Sequence, residues 1–131
     1  MLLSPDSFEI VNEIPHKKEF TIWKNRLTPA EYESIITVLT SHITDSQICT
    51  SSWLPGSDWT NTPFQIIYEK ACNCDEQHAA MFFGLVLWDA MMRHTDTWCF
   101  GKFHQNNVKG TTYFKVQIDE TQRRELYFKH I

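Results

Sequence analysis

The chain has 131 residues, the size of one domain, and 42% of them are hydrophobic, enough for a real core. Its net charge is −4, and Lys17-Lys18 and Arg123-Arg124 are the only adjacent basic pairs, so nucleic acid is not an expected partner. The longest apolar run stops at Asp89, short of the about 20 residues that cross a bilayer, so no membrane span is expected.

The start, Met1-Leu2-Leu3-Ser4-Pro5-Asp6, has neither a basic n-region nor a long apolar h-region. A cytoplasmic protein is therefore expected, with Cys49, Cys72, Cys74 and Cys99 as reduced thiols. Ser7 to Ile14 alternates, with Phe8, Ile10 and Ile14 on one face, and Glu19 to Lys24 alternates again. With Pro15-His16-Lys17-Lys18 as the turn, these two runs read as an antiparallel hairpin.

A helix is expected from Thr28, with Pro29 at the first helical position and Glu31 closing a capping box. Tyr32, Ile35, Ile36, Leu39 and Ile43 make its apolar face. A short strand is expected around Gln47 to Thr50. The segment Trp53-Leu54-Pro55-Gly56-Ser57-Asp58-Trp59-Thr60-Asn61 then sets two indoles around a type II turn signal. A second helix is expected from Thr62, with Pro63 at the first position, Gln65 closing a capping box, and Phe64, Ile67, Tyr68 and Ala71 inside.

Residues 75–94 organise everything else. Ala79 to Trp88 contains no polar side chain, lacks proline, and is too long for an ordinary strand of about 5–6 residues. It reads as a central helix capped by Asn73, covered on several sides. Gly84 in its middle costs about 1 kcal/mol relative to Ala, and close approach of another backbone is the expected compensation. Asp75, His78, Asp89 and Arg93 fall on one side and read as a narrow solvated stripe with an Asp89–Arg93 pair. His78 and Asp89 as an acid/base couple would stand roughly 16 Å apart along the axis, too far to share a proton.

Three alternating runs follow: Thr97 to His104, Thr111 to Ile118 and Arg124 to Ile131, the last with a short helix from Thr121 as its alternative. The fold expected is a single α+β domain over 1–131. An antiparallel sheet of about five strands, in the order ββ-α-αα-βββ, carries three helices on one face, with the 75–94 helix central.

Cys72-x-Cys74-x-x-x-His78 holds zinc-type ligands at a poor spacing, and no metal or cofactor is expected. Cys74 lies near a helix start, which lowers a thiol pKa, but Asp75 and Glu76 oppose the effect. No phosphate loop, dinucleotide fingerprint or hydrolase elbow is present.

The leading expectation is a small binding or interaction protein that takes a small molecule or protein partner on the loop from Trp53 to Asn61. Its candidate residues are Trp53, Asp58, Trp59 and Asn61. The rival is a small enzyme with a pocket between helices and sheet, to which Asp58, Asp89, His104 and Tyr113 contribute polar groups. An acidic inhibitor or immunity-type protein is the third reading, on charge alone. A homodimer is expected from the surplus of aromatics, 14% of the chain with five Trp.

Overall fold

The computed structural model describes residues 1–50, 59, 61–102, 111–119, 121–122 and 124–125. In chain order these form strand β1 (Leu2–Leu3), helix α1 (Lys17–Asn25), helix α2 (Pro29–Thr44) and strand β2 (Ile48–Thr50). A π-helical segment (Ile67–Ala71), helix α3 (Glu76–Arg93) and strands β3 (Trp98–Lys102) and β4 (Thr111–Lys115) follow. The class is α+β. The sheet is mixed, in the order β1-β3-β4-β2. β1 runs parallel to β3, with Leu2 opposite Trp98, while β3–β4 and β4–β2 are antiparallel.

Helix α3 is the spine. Asp75 caps it by accepting the His78 N–H at 2.9 Å, and Phe82, Val86, Leu87, Ala90 and Met91 along it are fully buried. Each large apolar side chain so buried contributes about 1.5–3 kcal/mol before conformational entropy is subtracted. α2 starts as its residues dictate. Thr28 accepts the Glu31 N–H, Glu31 accepts the Thr28 N–H, Pro29 fills the first position, and Tyr32, Ile35, Ile36, Leu39 and Ile43 are all buried. On the helix side of the sheet, Leu2, Cys49, Trp98 and Tyr113 join the same core. Among the described residues no helix is long and apolar enough to cross a membrane.

Four features correct the expected architecture. Among the described residues the sheet has four strands, and it is mixed because the chain start pairs in parallel with β3 over only two residues. The expected hairpin over Ser7 to Lys24 is absent. Ile10 makes a lone bridge to Leu3, and Glu19 to Lys24 lies inside α1. Phe20, Trp23 and Leu27 recur at three and four, not two, and all three are buried, whereas Ile22 stays 46% exposed.

The expected second helix is a wide π-type turn, closed by the Cys72 N–H on the Ile67 carbonyl at 3.1 Å. Ile67 and Ala71 are nonetheless buried on it, as is Phe64 ahead of it. α3 is capped by Asp75 rather than Asn73, since Asn73 and Cys74 both take left-handed conformations, at φ 51° and 62°. Residues 121–122 and 124–125 are helical, which favours the helical alternative there over the strand from Arg124; 126–131 lie outside the described residues.

Candidate functional site

Of the residues singled out from sequence, the described ones, Trp59, Asn61, Asp89 and Tyr113, stand in separate surroundings. Trp53, Asp58 and His104 lie outside the described residues. Trp59 is half-buried, with its ring 5.5 Å from Phe83, and its carbonyl accepts the Thr62 hydroxyl at 2.6 Å. That indole therefore packs onto the core. Asn61 is exposed at φ 62° and donates its N–H to Gln65 Oε1 at 3.0 Å.

Asp89 is not part of a solvated stripe. It is 6% exposed and wedged between α3 and α2, where it accepts the Tyr32 hydroxyl at 2.5 Å and Arg93 Nε at 3.1 Å. Arg93 extends the network to Glu33 at 2.9 Å. Burial, then the bond to Asp89, raises the Tyr32 pKa. Burial works to lower that of Arg93, but Glu33 and Asp89 outweigh it and the value is raised. This cluster is a buried clamp between two helices.

Tyr113 sits elsewhere, in a cleft of about 430 Å³ between α3 and the sheet. α3 supplies one wall through Ala80, Met81, Gly84, Leu85 and Trp88. The strands supply the opposite wall through Phe100, Thr111 and Tyr113, and Pro15 and His16 at the start of α1 close one side. The helix wall follows from spacing: residues 80, 84 and 88 are one turn apart and share a face. Residue 89 lies about 100° further round and turns to α2. Consecutive residues Trp88 and Asp89 thus serve the cleft and the clamp respectively.

Trp88 is fixed from two sides. Its Nε1–H donates to the Glu13 carbonyl at 3.1 Å, holding the N-terminal segment beside the cleft. Its ring meets Phe100 at 4.6 Å and 62°, and Tyr113 at 6.4 Å and 71°. Burial raises the Tyr113 pKa, so its phenol stays protonated. His16 is exposed at φ 52° and makes no side-chain cap for α1.

Gly84 corrects the expectation of close backbone packing. A Cβ built there would meet nothing within 4 Å, so the glycine borders open space. The signal available in the sequence was the pair of small residues, Ala80 and Gly84, one turn before Trp88. Gly84 alone suggests a packing contact, because nothing in the sequence says which face the sheet leaves uncovered.

Two other hollows lie away from the gap between α3 and the sheet. One, of about 450 Å³, is lined by Ser7, Phe8, Val116, Gln117, Ile118, Gln122 and Glu125, none of them in a strand or in the long helices. The other, of about 380 Å³, lies over Lys24, Thr28, Tyr32 and Glu33 beside the clamp. Among the described residues no three His, Cys, Asp or Glu side chains group to hold a metal ion. Cys72 is buried, which pushes its thiol up to about 11, while Cys74 is exposed.

Comparison with protein-family models, with curated proteins and with solved structures finds no match in any of the three.

Proposed function

We propose that this protein is a cytoplasmic binding protein that takes a small, largely apolar molecule in the cleft between α3 and the sheet. The observation that carries this reading is Gly84. A mid-helix glycine costs about 1 kcal/mol relative to alanine. That cost is usually offset by a backbone that must approach closely. Here nothing lies within 4 Å of the missing Cβ, and the space beside it is the cleft. The glycine widens a cavity instead of serving a packing contact.

The volume supports the same reading, since small-molecule sites commonly run from about 300 to 1,000 Å³ with mostly apolar walls. Binding is favoured over catalysis by the groups present. A phenol held protonated by burial is a hydrogen-bond donor, not a base. Asp89, which the enzyme reading needs in the pocket, is committed to Tyr32 and Arg93. The homodimer loses its motive too. Trp23 and Trp98 are buried and Trp59 and Trp88 half-buried, so the fold itself absorbs these aromatics.

The test is titration with the neutral fluorescent probe N-phenyl-1-naphthylamine. Wild type should bind it saturably, with one site. Gly84→Leu should melt cooperatively yet bind about tenfold more weakly or worse, because its side chain fills the cleft. Gly84→Ala, a smaller intrusion, should fall between them. Absence of saturable binding to wild type, or equal binding by all three folded proteins, would refute the proposal.

A further inference from the structure

The chemistry of the walls narrows the ligand. Among the described residues, none of the ten around the cleft is Asp, Glu, Lys or Arg. The carboxylate and guanidinium nearest in sequence, Asp89 and Arg93, bond each other and the α2 side chains Tyr32 and Glu33. Glu13 turns its backbone carbonyl, not its carboxylate, to Trp88. A charged group placed deep here would leave water with no counter-charge on the described walls to meet it.

Shape is restricted as well. Ala80 and Gly84, one turn apart, set a low strip along the α3 wall beside the Met81 and Leu85 side chains. Trp88, further along the same helix, meets Phe100 and Tyr113 of the opposite wall at steep interplanar angles of 62° and 71°. That edge-to-face arrangement accepts another ring at low cost. Among the described lining residues, side-chain polar groups come from Thr111, His16, the Tyr113 phenol and the Trp88 indole N–H, the last already bonded to the Glu13 carbonyl.

From these walls we infer that the ligand is an uncharged planar ring compound carrying one hydrogen-bonding substituent. The inference rests on the binding reading above and specifies its ligand class.

Four probes of similar bulk separate the possibilities by calorimetry near neutral pH. They are 2-naphthol, which is planar and neutral; 2-naphthoate, its anionic counterpart; 2-naphthylmethylammonium, its cationic counterpart; and 1-adamantanol, neutral but globular. The expected result is that 2-naphthol binds about tenfold or more tightly than each of the other three. Equal or tighter binding of either ion overturns the neutrality, and equal binding of 1-adamantanol overturns the planarity. If N-phenyl-1-naphthylamine binds and 2-naphthol does not, the ligand class is wrong and the cleft reading stands. If neither binds, the cleft reading itself fails.

Discussion

Tyr32→Phe removes one hydroxyl from the interior and tests the clamp between α2 and α3. Tyr32 is 1% exposed and Asp89 6%, so neither group has water as a ready substitute. A hydrogen bond to a charged group contributes about 1.5–3 kcal/mol. Arg93 still reaches Asp89 at 3.0 Å in the variant, which puts the loss at the lower end, about 1.5 kcal/mol. Asp89→Ala removes more. It strands the buried Tyr32 hydroxyl, costing about 1–3 kcal/mol, and opens a small void, for a total of about 2–4 kcal/mol. The half-exposed Arg93 keeps Glu33, so it adds little. For a domain of this size about 1 kcal/mol shifts Tm by roughly 3–5 °C. Urea and thermal melts of Tyr32→Phe, Asp89→Ala and the double variant should show losses that are clearly less than additive. Single variants within about 0.5 kcal/mol of wild type, or strict additivity, would refute the buried clamp.

Gly84→Ala should raise stability by about 1 kcal/mol, because its methyl enters space with nothing within 4 Å; a lower urea midpoint would show that the cleft is not open there. Trp88→Phe should cost about 0.5–1.5 kcal/mol through the lost bond to Glu13, and should speed hydrogen exchange at residues 12–16 more than elsewhere. Stability should also fall in acid through His94, whose side chain is 2% exposed. Its Nδ1 accepts the Asp96 N–H at 3.0 Å and its Nε2 meets Thr44 Oγ1 at 3.2 Å, so the folded state holds it neutral. Burial lowers its pKa, against the opposing pull of Asp96. The unfolded chain therefore binds the proton first, and stability declines as pH falls from about 6.5 through the lower folded value. Urea melts across that range should show the decline in wild type and a flatter profile in His94→Gln; identical profiles would contradict it.

The parts legible in the sequence were those where local chemistry and burial agree. Thr28-Pro29 with Glu31 marked the start of α2, and five apolar residues at helical spacing marked its inner face. The unbroken run from Ala79 marked α3, and alternation marked β3 and β4. α1 is ambiguous in the sequence because Phe20, Ile22 and Trp23 in a short window fit two periods. What decides it is tertiary: the Trp23 ring packs 5.8 Å from Phe82 and 5.4 Å from His78, a contact only a helix can make alongside a buried Phe20. Its start carries no cap signal, since His16 enters at φ 52° without a side-chain bond.

β1 escaped because two residues have no period, and its partner lies some ninety residues away in β3. Asp89 and Arg93 looked like a surface pair because spacing reveals the pair but not the helix that covers it. Tyr113 was picked out correctly as lying in a strand, yet the cleft beside it depends on what Ala80 and Gly84 lack. Absent side chains leave only a faint mark in a sequence.

The most direct measurement is a two-dimensional amide and methyl NMR titration of wild type with N-phenyl-1-naphthylamine. Binding in the cleft predicts shift changes concentrated at Gly84, the methyls of Ala80 and Met81, and Thr111, with the Trp88 indole N–H moving alongside. Changes centred instead on Phe8, Val116 and Ile118, or spread evenly over the surface, would contradict it.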